Sequence, residues 1–182
     1  MRKYLKRLSK TQMLIILFAV LAIGFYYFYS TGSFPFQKAS VVVKEEKTKE
    51  GEPVLQIQDA TTEQAEKEFP VDMPETEVMA ALHKMSHQKV VARKKWGAIP
   101  LTPQRVDRLL SVVTQNKSKY KNSEVYIDIL NRWADGDFSH ADDDHNVIWN
   151  LQGGTVGKAT GLASTNEEKE FIEQNFNIKL EK

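Results

Sequence analysis

Thr102-Pro103-Gln104-Arg105-Val106-Asp107-Arg108-Leu109-Leu110-Ser111-Val112-Val113 decides the fold class. A threonine ahead of a proline is a helix start: the hydroxyl caps an orphan backbone N–H, and the ring presets the helical φ. Val106, Leu109, Leu110 and Val113 then recur at three- and four-residue spacing, which places them on one helical face. The pattern repeats on both sides. Upstream, Asp72 is positioned to cap a helix with Pro74 in its first turn and Glu75 at the capping-box position. Val78, Met79, Leu82 and Met85 give that helix a stripe, and Gly97 marks its end. Downstream, Ser123 starts a helix carrying Tyr126, Ile129, Leu130 and Trp133 before Gly136. Ser139 starts another with Ala141, Ile148 and Leu151, stopping at Gly153-Gly154. Thr165 and Glu168 form a capping box for the last, with Phe171, Ile172 and Phe176. No stretch shows comparable strand alternation. Residues 73–182 therefore read as mainly α, a compact bundle of four to five short helices.

Before the bundle the chain changes character twice. Residues 30–72 read as a flexible charged tether, because Lys44 to Pro53 carries charge on every face and can bury little. Val41-Val42-Val43 and Val54-Leu55-Gln56-Ile57 are apolar islands suited to short strands or docking, and Thr62 to Phe69 suits one or two helical turns. Met13 to Tyr29, MLIILFAVLAIGFYYFY, has no charged side chain. As a helix it covers roughly 25 Å of a ~30 Å hydrocarbon core. Tyr26, Tyr27 and Tyr29 suit one interface, and Lys10 can snorkel at the other. Arg2, Lys3, Lys6, Arg7 and Lys10 in the tail 1–12, against Lys38 alone soon after the run, place the N-terminus in the cytoplasm. A retained transmembrane helix at 13–29 is favoured over a cleaved signal peptide. The run is long for one, ends in aromatics and meets no A-x-A-like site. The expectation is a single-pass cell-membrane protein with an extracytoplasmic C-terminal domain.

Charge and cysteine content exclude several classes. Of 25 Lys and Arg, five lie in the tail, which leaves 20 basic against 24 acidic residues. That mildly acidic remainder argues against nucleic-acid binding. There is no cysteine, so disulfides, thiolate metal sites and cysteine nucleophiles are out.

Several motifs invite a chemical reading. His83 and His87 are four apart on one helix, a spacing that can hold zinc. The metalloprotease form needs Glu after the first histidine, where Lys84 stands. On a helical wheel His83 lies at the edge of the apolar stripe and His87 further toward solvent. Asp135 to Asn146 is rich in aspartate but lacks the glycine and glutamate of a calcium loop, and its aspartates suit the start of a helix. Gly153 to Gly161 fails as a phosphate loop. Gln152 stands where the first glycine is needed and Ala159 where Ser or Thr is needed, so no nucleotide is expected. Ser86-His87-Gln88-Lys89 matches the S-x-x-K pattern, without the K-T-G that should follow. Asp144, His145 and Gln152 project from one side of the fourth helix, Trp149 lies near enough to form an apolar wall, and Lys158 can meet an anion. These five residues are the candidate ligand site, where that helix meets the glycine loop.

Met85-Ser86-His87-Gln88-Lys89-Val90, Lys95-Trp96-Gly97, Gly136-Asp137-Phe138-Ser139, Asp144-His145-Asn146 and Gln152 to Gly161 resemble a family of uncharacterised proteins from Bacillus-like Gram-positive bacteria. That resemblance covers about half the chain. It implies an N-terminal apolar segment before a small domain of unknown function. With no intact catalytic motif, the expected function is a non-enzymatic binding or envelope-associated module. Its expected partners are the bilayer, through residues 13–29, and a membrane or cell-wall protein. No cofactor is expected. The alternative is a small metal-assisted hydrolase, with zinc held by the histidine and aspartate groups.

Overall fold

Thr102 caps its helix as its sequence requires: its side-chain oxygen accepts from the Arg105 N–H at 3.3 Å, with Pro103 in the first turn. The computed structural model describes residues 42–47, 53–58 and 61–176, all within one compact unit, Ser40–Lys182. In chain order these form β1 (Val42–Lys47), β2 (Pro53–Gln58), α1 (Thr62–Glu68), α2 (Glu75–Ser86) and β3 (Val90–Ala92). There follow α3 (Pro103–Gln115), α4 (Ser123–Ala134), α5 (Ala141–Leu151), β4 (Ala159–Leu162) and α6 (Thr165–Phe176). The described chain is mainly helical. The apolar run Met13 to Tyr29, and the topology read from it, lies outside the described residues. Among those residues no helix is long and apolar enough to cross a membrane.

The stripes of the first four expected helices meet in one core. Val78, Leu82 and Met85 of α2 pack with Val106, Leu109 and Val113 of α3 and with Tyr126, Ile129, Leu130 and Trp133 of α4. Ile148 of α5 closes the cluster, whereas Leu151 is turned out and 39% exposed. The helix boundaries depart from expectation in four places, the first being α5, which begins at Ala141 after an N-cap at His140 rather than at Ser139. Pro74, not Asp72, is the N-cap of α2, without a side-chain cap bond. Glu75 instead takes the Lys121 and Asn122 N–H groups and the Tyr126 hydroxyl, each at 2.9 Å. α2 also ends at Ser86 rather than near Gly97, because the chain leaves helical register to pair as β3. The capping box of α6 lies one residue earlier than read. Ser164 and Glu167 make it, with the Ser164 N–H donating to Glu167 at 2.8 Å. Glu168 is thereby freed to turn inward, where it meets buried Lys89 and Gln88.

Short strands were read as one option at the two apolar islands and nowhere else; among the described residues two small antiparallel pairs are present, β1 with β2 and β3 with β4. β3 and β4 pair with Val90 opposite Leu162 and Val91 opposite Gly161, with an irregularity before Ala92. The Ala163 N–H donates to the Lys89 carbonyl at 2.9 Å beside the pair. This short ladder brings the segment after α2 against the segment after α5. β1 and β2 form a hairpin inside the stretch read as flexible tether. Leu55 and Ile57 are buried against Ile172 of α6, and the Lys89 ammonium donates to the Leu55 carbonyl at 3.1 Å. α1 packs on α3 and carries Phe69 into the core. Its capping box joins Thr61 and Gln64. The second apolar island is therefore docked, because alternating Leu55 and Ile57 supply a face that α6 covers.

Candidate functional site

The end of α5 sets the site. Gly153 takes φ 68°, its N–H donates to Asn150 at 3.0 Å, and the Gly154 N–H donates to Trp149 at 2.8 Å. This paired closure satisfies the last carbonyls of the helix and is favoured by glycine at the left-handed position. A side chain at Gly154 would meet the Trp149 indole at 2.3 Å, so the ring lies directly on that backbone. The indole N–H donates to the Val156 carbonyl at 2.9 Å. Further along, Gly157 has φ 92° and a Cβ there would stand 2.5 Å from the Lys94 carbonyl oxygen. The glycine stretch is thus a tight loop pressed against the segment that follows β3.

A groove of about 370 Å³ opens between α2 and this loop. His83, His87, Gln152 and Trp149 line it, with Lys84, Lys94 and Trp96 at the side of the β3–α3 connection. Trp96 is 63% exposed. Among the described residues no carboxylate lines the groove.

Three imidazoles come together at its floor. The ring centroids of His83, His87 and His145 are 4.5 to 5.5 Å apart, and each offers a ligand nitrogen within 4.8 Å of the other two. Each ring also spends one nitrogen on an oxygen. His83 Nδ1 pairs with the Gln152 side-chain oxygen. His87 Nδ1 meets the Gly97 carbonyl at 2.7 Å, and His145 Nε2 meets the Gly157 carbonyl at 3.1 Å. A carbonyl only accepts, so in the last two rings the bonded nitrogen carries the proton and the lone pair sits on the other. His145 Nδ1 lies 2.9 Å from the Ser86 hydroxyl, which is also 2.7 Å from the His83 carbonyl. Burial pushes the pKa of His87 and of His145 down to about 4, and lowers that of His83. The floor is therefore uncharged at neutral pH.

The residues read from sequence separate. His145, Trp149 and Gln152 belong to the groove or its floor. Asp144 is one residue from His145 but buried on another side. Its carboxylate accepts from the Trp133 indole N–H at 3.0 Å and pairs with Arg132, so it does not orient the imidazole. Lys158 is exposed and does not line the groove; Lys84 and Lys94 supply the cations there. His87 is 2% exposed, the reverse of its place on a helical wheel, because the chain after α2 folds back over it and presents Gly97. Ser86 and Lys89 of the S-x-x-K pattern face different partners, His145 and Glu168. Sequence reasoning did not find Lys94, Ser86 as a bridge, or the joining of His145 to the histidine pair.

Residues 82–173 match a family of unknown function, DUF6241. The chain belongs to that family. The matched span holds all three floor histidines and every described lining residue of the groove except Ala80, and begins within α2. The hairpin and α1 precede it. No curated protein and no solved structure gives a match.

Proposed function

We propose that this chain is a single-pass membrane protein that displays a binding module outside the cytoplasm, and that the groove takes an anionic ligand of the envelope. One observation carries the ligand class: Lys84 and Lys94 line a groove that has two indole walls and no carboxylate among its described lining. Such a site favours anions by charge and contributes apolar surface through Trp96 and Trp149. The tail charges and the uncharged run Met13 to Tyr29 support the anchor and its orientation. The resemblance to anchored proteins of Bacillus-like Gram-positive bacteria supports an envelope setting.

A small metal-assisted hydrolase is less well served by these residues. It needs a base or nucleophile that reaches a substrate. Asp144 is committed to Arg132 and Trp133, and Ser86 is 1% exposed beneath the floor. Binding uses every groove residue without requiring either.

Intrinsic tryptophan fluorescence of the full-length protein in detergent micelles tests the reading. Titration with inorganic phosphate or acetate should give a saturable change with one of them, weakened by added salt. The double substitution Lys84→Gln, Lys94→Gln should abolish it. A signal indifferent to both anions, or unaffected by the lysine substitutions, contradicts the proposal.

A further inference from the structure

We infer that His83, His87 and His145 form a binding site for a divalent transition-metal ion of the zinc class, with its open coordination position turned toward the groove. The inference rests on the reading of the groove as a binding site and names the chemistry at its floor.

The case begins with lone pairs. Three uncharged imidazoles share a small space, and each holds one nitrogen against an oxygen outside the cluster. The remaining nitrogens are Nε2 of His83, Nε2 of His87 and Nδ1 of His145. Among the described residues, the Ser86 hydroxyl is the one donor that reaches any of them. His83 and His87 line the groove, and the Ser86 hydroxyl proton is divided between His145 Nδ1 and the His83 carbonyl. Three lone pairs thus converge on one small space without three protein donors to take them, which is a ligand set for a cation.

The outer contacts fit the same reading. A histidine that ligates a metal through one nitrogen usually donates from the other to a carbonyl or carboxylate, which sets the tautomer and aims the ring. Gly97, Gly157 and the Gln152 side chain supply that oxygen for the three rings. Ser86 can release His145 Nδ1 without losing a partner, because its hydroxyl already lies 2.7 Å from the His83 carbonyl. Three imidazoles without thiolate or carboxylate suit zinc, cobalt, nickel or copper rather than calcium or magnesium. Tetrahedral Zn–N bonds of about 2.0–2.1 Å place ligand nitrogens roughly 3.4 Å apart. The rings stand somewhat wider, at up to 4.8 Å, so loading draws them together. His83, at the groove edge and half-buried, has the freedom to move.

Charge then specifies the fourth ligand. Three neutral imidazoles leave both positive charges of the ion uncompensated, and Lys84 and Lys94 add to them. An anion in the groove completes the site. The metal thus anchors the ligand class assigned to the groove.

Cobalt(II) is the probe, because its d–d absorption reports coordination. The full-length chain in detergent micelles, stripped with EDTA, is titrated with cobalt(II) and back-titrated with zinc. One cobalt per chain, tetrahedral bands and displacement by zinc are expected. His83→Gln and His145→Gln should each weaken binding at least about tenfold. His140→Gln, an exposed histidine outside the cluster, should leave it unchanged. Circular dichroism confirms that each variant is folded, and His83→Gln, at the groove edge, guards against collapse of the buried position. No stoichiometric cobalt binding, or binding that survives both substitutions, overturns the inference. Phosphate and acetate separate it from the groove reading. An anion response without cobalt binding overturns the metal site alone. Cobalt bands that form but ignore both anions sustain the metal and overturn the anionic ligand.

Discussion

His87 and His145 are kept uncharged by burial, and that makes the metal-free fold sensitive to acid. Their ordinary pKa is 6.5 and the fold pushes both to about 4. Below 6.5 the unfolded chain takes up protons that the native chain refuses. The contribution is therefore present above that pH and is lost as pH falls toward 4, at about 1.4 kcal/mol per pH unit for each histidine. Urea midpoints of the metal-stripped protein should drop from about pH 7.5 to about pH 5, and His145→Gln should shrink the difference. A midpoint that does not move contradicts the buried, neutral assignment. Gly157 offers a second residue-scale test. Its φ of 92° is costly for any other residue, and a methyl group would strike the Lys94 carbonyl. Gly157→Ala should cost about 1–3 kcal/mol in thermal or urea unfolding and loosen His145, whose Nε2–H donates to this residue. At this scale the sequence exposes only part of the site. The i, i+4 pair His83 and His87 follows from helical geometry. His145 reaches the pair through the packing of α5 on α2, and Lys94 and the Gly97 carbonyl reach it from the segment after β3, neither of which a local pattern announces.

Helices are legible here because their signals are local. Thr102-Pro103 and the stripe Val106, Leu109, Val113 lie within a few turns, and tertiary packing agrees with them. Strands of three and four residues, as in β3 and β4, carry too few alternations to be seen. The hairpin is a related case. Its charged sequence from Lys44 to Pro53 reads as tether, while Leu55 and Ile57 alone mark the docked face. Docking makes a prediction about boundaries. A fragment from Glu68 keeps the helical core but uncovers Ile172 and removes the Leu55 carbonyl from Lys89. It should be helical by circular dichroism yet less stable than a fragment from Ser40. Ile57→Ala should reproduce much of the loss, about 2–5 kcal/mol. Equal stability of the two fragments would show that the hairpin contributes nothing. Lys89 and Glu168, 5% exposed each, tie the same region together. Glu168→Ala strands the ammonium and should cost about 3–5 kcal/mol by urea unfolding, against little for the exposed pair Lys67–Glu63.

On the scale of the whole molecule, the account joins a basic tail, an uncharged run and a helical domain with a groove that is cationic at its side and imidazole at its floor. The domain belongs to a family whose matched span contains every described residue of that groove's lining except Ala80. The placement outside the cytoplasm and the anionic ligand belong to one claim: the groove faces the envelope and is used there. The chain has no cysteine, so a single introduced thiol reports without background. Thr155 is exposed on the groove wall and makes none of the contacts that hold the histidines. The most direct measurement is labelling of full-length Thr155→Cys in intact cells, after wall removal if needed, with a membrane-impermeant maleimide. The account predicts rapid labelling before lysis, slowed by whichever of phosphate or acetate alters the tryptophan signal. Labelling that appears only once the membrane is broken would contradict it.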